Sequence, residues 1–280
     1  MTVSAYIPCY NNAAMIAAAV AGVRAQTRPV DELFVVDDGS TDASADIAAS
    51  LGVEVLRHSA NSGRGHARHR AMTRARGDLV LCVDATNVLP PEFLSHALPW
   101  FDTARVAAVF GRIVEERHRT AAERWRARHL FKNDVILGVR HAVGLCTYGT
   151  VVRTLAVAGA GGFDASLRHS EDEDLGRRLL AAGHDVVFDP RLHVASRADN
   201  SALEVLERYW RWYVGRNEAF SIPAYARQTW YCLSHMVAND LKKRDPAVAA
   251  ISFFLPPYIL FKALAHRLAG TRQKAPAPAP

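Results

Sequence analysis

The chain has 280 residues, half of them hydrophobic, with 34 Lys and Arg against 28 Asp and Glu, a formal net charge of +6 and a pI near 9.3. That is enough apolar material for one large α/β domain or two small ones. The cations are spread along the chain and no basic block carries interleaved aromatics, which excludes a nucleic-acid-binding protein and leaves phosphorylated small molecules or an anionic membrane face as partners. The four cysteines, Cys9, Cys82, Cys146 and Cys232, are far apart and form no CxxC, which fits a reduced, cytoplasmic setting. The N-terminus runs straight into a strand without a basic segment, so no signal peptide is expected.

In chain order, residues 3–8 read as a strand, Pro8-Cys9-Tyr10-Asn11-Asn12 as a loop and 13–24 as an Ala-rich helix. Residues 33–36 form a second strand that ends directly in Asp37-Asp38-Gly39. Ser40 or Thr41 can then cap a helix over 43–51. Two like charges at the end of a buried strand oppose folding, so the pair needs another reason to exist. A third strand over 53–56 leads into the loop His58 to Gly63, a helix over 65–74 and a fourth strand over 79–83. Strands alternating with helices predict an α/β fold with a mostly parallel, doubly wound sheet. GxGxxG is absent, which argues against a dinucleotide site.

Pro90-Pro91 opens a short helix, 106–110 is a strand, and 123–131 is a charged, aromatic-containing helix. Residues 138–150 are small and flexible, and Gly161-Gly162-Phe163-Asp164 makes a turn. Ser170 can cap a helix that begins Glu171-Asp172-Glu173-Asp174 and stops at Gly183, with Arg177 and Arg178 in pairing distance of Glu173 and Asp174. Residues 203–220 read as a helix. The apolar run 247–261 contains Pro256-Pro257 and stops at Lys262, shorter than the roughly 20 residues a membrane span needs. Its flanking Lys, Arg, Trp and Tyr suit an interfacial membrane contact, with a helix packed on the protein as the alternative. Residues 273–280 read as an extended, disordered tail.

Several of these stretches together carry a resemblance: Pro8 to Asn12, Val35-Val36-Asp37-Asp38-Gly39-Ser40-Thr41-Asp42, Asn61-Ser62-Gly63 with Ala67-Arg68, Val83-Asp84, Gly161 to Asp164, and Ser170 to Leu175. Their order and spacing resemble the family 2 inverting glycosyltransferases of GT-A fold, over roughly residues 1–200. The resemblance implies a glycosyltransferase domain over 1–200, with a nucleotide-sugar half at 1–110 and an acceptor half at 111–200. A C-terminal helical extension follows at 201–270 and a tail at 271–280. It implies that Pro8, Tyr10 and Asn11 line a base pocket, that Asp38 accepts from base or ribose, that Arg68 reaches the nucleotide and that Asp84 lies near ribose and diphosphate. Asp172 falls where inverting relatives place the general base, with Glu171 beside it as an orienting neighbour.

Against the same pattern, the second carboxylate of the metal-binding Asp-x-Asp is Thr86, and the histidine expected after Phe188-Asp189-Pro190 is Ser196. His193 lies three residues earlier, on the other face of a strand. A divalent ion, Mg²⁺ or Mn²⁺, would rely on Asp84, diphosphate and water, or a cation such as Arg197 or Arg68 would serve the leaving group. The donor is expected to be a nucleoside diphosphate sugar and the acceptor a glycan or lipid-linked hydroxyl, as in cell-envelope polysaccharide synthesis at the inner membrane face. The competing expectation is a nucleotide-sugar binding module that no longer turns over. A sugar nucleotidyltransferase would want a Gly-rich loop followed by Lys, which Pro8 to Asn12 does not supply.

Overall fold

The computed structural model describes residues 1–216 and 221–268; the end of the predicted 203–220 helix and the predicted tail lie outside them. In chain order the elements are β1 (Val3–Cys9), α1 (Ile16–Arg24), β2 (Glu32–Asp37), α2 (Ser44–Ser50), β3 (Glu54–Arg57), α3 (Arg64–Arg74), β4 (Leu79–Val83), β5 (Asn87–Val88), α4 (Phe93–Ala97) and β6 (Val106–Val114). They continue with α5 (Ala121–Trp125), β7 (Gly149–Arg153), α6 (Thr154–Gly159), α7 (Glu171–Ala181), β8 (Asp185–Ser196), α8 (Ala202–Arg216), α9 (Ile222–Tyr231), α10 (Ala238–Lys242) and α11 (Pro246–Leu268). The described residues divide into two units.

The first unit, Met1–Val114 with Val135–Ala198, holds one sheet in the order β3-β2-β1-β4-β7-β6-β8-β5. Its first four strands are parallel, as βαβ crossovers require. Beyond β4 the sheet is mixed, because β7 enters antiparallel between β4 and β6. Side chains alternate across the central strands. Val3, Ala5 and Ile7 of β1 meet Leu79 and Leu81 of β4 on the face covered by Ile16, Val20 and Phe93. Tyr6, Val80 and Cys82 point the other way, toward Ala67, Ala71, Leu175 and Leu179. Both faces are therefore buried, and the carboxyl ends of the parallel strands carry the loops with the predicted motifs. No disulfide joins the four cysteines.

Two predicted caps are not made. Ser40 Oγ accepts instead from the Asn11 amide, and α2 begins after an Asp42 carboxylate that accepts from the Ser44 amide. Ser170 makes no side-chain cap; it sits at φ +61° in the left-handed region, uncommon outside glycine. In α7 both Arg177 and Arg178 pair with Asp174.

The second unit takes in Glu115–Asp134 and the chain from Asp199 on. Residues 115–134, expected inside the acceptor half, thus pack with the C-terminal helices. Trp125 of α5 is fully buried among Val205, Leu206, Met236, Leu255 and Ile259. The predicted 123–131 helix is α5 continued by a π-helical turn, Arg126–Leu130. Trp125 Nε1 donates to Ser252 Oγ, Ser252 donates to the buried Asp240, and His129 and Arg128 close on the same carboxylate. Pro256 and Pro257 do not end α11, contrary to the short apolar run expected there. Packing of Val248, Ile251, Leu255 and Ile259 offsets the amide bonds that the prolines cannot make. The stretch Pro246–His266 has 21 residues and contains an 18-residue window of mean hydropathy 1.7, long and apolar enough to cross a membrane, with 44% of that window buried in the protein.

Candidate active site

Parallel pairing sets Cys9 opposite Asp37, so the loops after β1 and β2 start side by side. Asp38 donates its amide to the Cys9 carbonyl at 2.8 Å. Asn11, at φ +52°, accepts from the Thr41 amide through its side chain and locks the first loop to the second. Tyr10 stands 45% exposed, with its ring available to a planar partner. Pro8 is partly buried where β1 ends.

Asp38 is only 4% exposed, and its carboxylate is fully employed. Oδ1 accepts from His58 Nδ1 at 2.8 Å and the Ser62 amide at 3.0 Å; Oδ2 accepts from Asn61 Nδ2 at 3.0 Å and the Gly63 amide at 2.8 Å. The loop His58 to Gly63 is thus folded around one acid. Two glycines make this possible. A Cβ on Gly39 (φ +72°) would lie 2.6 Å from the Ala60 carbonyl carbon, and one on Gly63 (φ +97°) would lie 2.9 Å from Arg168 Cα. Asp38 therefore holds the His58 to Gly63 loop in place through its carboxylate.

A second acidic group gathers around Arg68 of α3. This guanidinium is 1% exposed and donates to Glu171 Oε1 at 3.0 Å, Asp84 Oδ1 at 2.7 Å and Tyr6 Oη at 3.4 Å. One buried cation therefore joins the end of β4, the start of α7 and the middle of β1. Neighbouring Asp84, Glu171 and the Tyr6 hydroxyl hold its pKa well above the ordinary value in spite of the burial. The guanidinium thus bonds three partners from distant parts of its own chain.

Asp172 follows Glu171 into the first turn of α7. Its Oδ1 accepts from the Glu173 amide at 3.0 Å, and Thr147 Oγ1 reaches its Oδ2 at 3.4 Å. Burial first, and the adjacent Glu171 second, push its pKa up, with Arg68 pulling the other way. Tyr148, next to Thr147, donates to the Gly111 carbonyl at 2.6 Å. This ties the end of the 138–150 stretch to β6, and Arg140 and Val143 bond to Phe188 and Val186 of β8, where sequence alone showed a flexible segment.

The two positions that depart from the family pattern lie together. Asn87 pairs with Ser196 across the β5–β8 ladder, and the Thr86 carbonyl accepts from the Arg197 amide at 2.7 Å. His193 is exposed and Ser196 buried, on opposite faces of β8. A divalent ion here would find Asp84 as its anionic protein ligand, with one oxygen already bonded to Arg68 and hydroxyls at Thr86 and Ser196. A hard cation prefers several anionic oxygens, so these residues do not fit a metal held by the protein.

Sequence reasoning singled out Asp38, Arg68, Asp84, Glu171 and Asp172, and the structure brings Asp84 and Glu171 onto the Arg68 guanidinium, with Asp172 following Glu171 in the chain. It missed Tyr6, Thr147 and His58. Tyr6 reads as an ordinary strand residue, and its contact with Arg68 spans 62 positions, beyond any local signal.

Residues 4–175 match the model of glycosyl transferase family 2. The pre-mycofactocin glycosyltransferase of Mycobacterium tuberculosis is 30% identical over 205 residues, covering 69% of this chain and 42% of the relative. The hyaluronan synthase of Streptococcus pyogenes is 31% identical over 129 residues, covering 42% of this chain and 31% of the relative. The match thus spans less than half the length of each of these relatives. Among solved structures, Staphylococcus aureus TarS 1–349 in complex with UDP-GlcNAc superposes at a TM-score of 0.56, with 19% identity over 74% of this chain and 64% of that one. The mannosyltransferase PcManGT of Pyrobaculum calidifontis, in complex with GDP-Man and Mn²⁺, superposes at 0.54, with 17% identity over 98% of this chain and 76% of that one. The fold is the GT-A fold of these glycosyltransferases, and the chain belongs to glycosyl transferase family 2.

Proposed function

We propose that this chain is an inverting glycosyltransferase that moves a sugar from a nucleoside diphosphate sugar to an acceptor hydroxyl, with Asp172 as general base. One observation carries the reading: Asp172 is a carboxylate with a raised pKa, set beside the buried Arg68–Glu171–Asp84 group at the carboxyl end of the sheet. The donor class is supported by the UDP-GlcNAc and GDP-Man held by the solved neighbours.

In this reading Pro8, Tyr10 and Asn11 hold the base, with Tyr10 stacking on it. Asp38 shapes the pocket through the 58–63 loop, and a bond from it to base or ribose would replace one of its present donors. Asp84 stands near ribose and diphosphate. Asp172 takes the proton of the acceptor hydroxyl as that oxygen bonds to the anomeric carbon. The bond to the diphosphate oxygen breaks on the opposite face, the diphosphate leaves with the electron pair, and the anomeric configuration inverts. Base catalysis of this kind contributes roughly 10²–10⁴-fold. Glu171 orients α7 through Arg68. No step is routed through a metal.

The acceptor would be a glycan, polysaccharide or lipid-linked hydroxyl, met at the cytoplasmic face of the membrane. An outward stripe of α11 supports that placement. Ala250, Phe253, Phe254, Pro257, Phe261 and Leu264 are all exposed, with Phe253 at 54% and Phe261 at 65%. Thr86 and Ser196 favour the second reading, a donor-binding module without turnover. Titration calorimetry with UDP and GDP sugars, with and without Mn²⁺, followed by product analysis over an acceptor panel, separates the two. Transfer with inversion supports the enzyme; binding without transfer to any acceptor supports the module.

A further inference from the structure

Three donor atoms converge at the ends of β2 and β3 and on the first turns of α3. His58 Nδ1 lies 2.8 Å from Asp38 Oδ1, and His66 Nδ1 lies 3.4 Å from His58 Nδ1. One ligand atom from each residue lies within 4.8 Å of the others, and the two rings meet edge-on at 4.5 Å between centroids. The side chains of His58 and Asp38 are 4% and 6% exposed.

The protons do not suffice for this cluster. An ionised carboxylate only accepts, so His58 must carry its proton on Nδ1 to bond Asp38. His66 Nδ1 faces a nitrogen whose single proton already goes to Asp38. The oxygen and two ring nitrogens thus converge on one hydrogen, an arrangement that a divalent cation would satisfy with one lone pair from each.

We infer that Asp38, His58 and His66 form a binding site for an imidazole-preferring divalent ion of the zinc class, separate from the Asp84 end of β4. Imidazole and carboxylate bonds to zinc of about 2.0–2.2 Å place tetrahedral ligand atoms roughly 3.3–3.5 Å apart. The His58–His66 spacing already matches this, and the Asp38–His58 spacing needs to open by about half an ångström. Asp38 exchanges one bond, from His58, and keeps those from Ser62, Gly63 and Asn61. Water supplies the fourth ligand at the partly exposed His66 side. A bound ion staples the segments after β2 and β3 to α3, and so fixes the loop that walls the proposed base pocket.

Cobalt(II) tests the site on the full chain, because four-coordinate cobalt absorbs strongly in the visible. Wild-type protein should give that absorption at one equivalent, and zinc should bleach it. His66→Ala should weaken uptake by about 100-fold or more, since even loss of a supporting partner costs 10–100-fold. His69→Ala, altering a nearby α3 histidine bonded to the Phe163 carbonyl, should leave uptake unchanged. On wild-type protein, one equivalent of zinc should protect the partly exposed His66 from diethylpyrocarbonate. Absence of the absorption, equal uptake by His66→Ala, or an unprotected His66 would each overturn the assignment. Neither readout involves nucleotide or acceptor, so failure here leaves glycosyl transfer standing, and the reverse holds.

Discussion

Two acidic groups at the carboxyl end of the same sheet meet opposite fates. Asp38 is buried and satisfied by four donors, two of them backbone amides. Asp172 has one backbone amide, a long contact from Thr147, and a like charge next door. Burial with full hydrogen bonding makes a carboxylate a structural pin, whereas partial burial beside a second carboxylate raises its affinity for a proton. The same motif chemistry, paired acids after a buried strand or at a helix start, thus yields a pin in one place and a candidate base in the other. Arg68 sets the difference, because it neutralises Glu171 and Asp84 and makes no bond to Asp172.

The comparison breaks most sharply at Asp172. Asp172→Asn should lower the transfer rate by roughly 10²–10⁴-fold with donor affinity within a few fold, measured by product formation and calorimetry. Arg68→Met should destabilise the protein by about 3–5 kcal/mol in chemical denaturation, since it leaves two carboxylates beside a buried space without their cation. Asp38→Ala should weaken donor binding by about 1–3 kcal/mol through loss of charged hydrogen bonds and of loop order. Unchanged affinity in that variant would place the base pocket elsewhere. The smallest effect sharpens the contrast in sign. Burial and Glu171 disfavour charged Asp172, so its folded pKa exceeds its unfolded one and its charge opposes folding at neutral pH. Asp172→Asn should therefore raise the melting temperature slightly at neutral pH, and the gain should vanish as pH falls through that pKa.

Much of the first unit was legible in sequence because its signals are local. Buried strands such as Leu79–Val83 read as unbroken apolar runs, and Asp37-Asp38-Gly39 marks a strand end whose glycine must adopt positive φ. The candidate site acids were legible for the same reason. Their partners were not, since Arg68 finds Glu171 from 103 positions away and Asp84 from 16. The sequence also could not show that β7 would enter antiparallel, because strand order beyond a crossover depends on packing and leaves no periodic trace. Residues 115–134 left their expected half for a similar reason: Trp125 is committed by Ser252 and Asp240, over a hundred residues on. α11 outlasts its two prolines through tertiary contacts that propensity does not contain.

The central claim, that Asp172 removes the acceptor proton under the influence of its acidic neighbour, is tested most directly by the acid limb of the pH–rate profile at saturating donor. The rate should fall as pH drops through a pKa above the ordinary Asp value of about 3.9. Glu171→Gln should shift that limb to lower pH, because it removes the like charge and frees Arg68 to favour the anion. A profile without an acid limb, or one that Glu171→Gln leaves in place, would contradict the account.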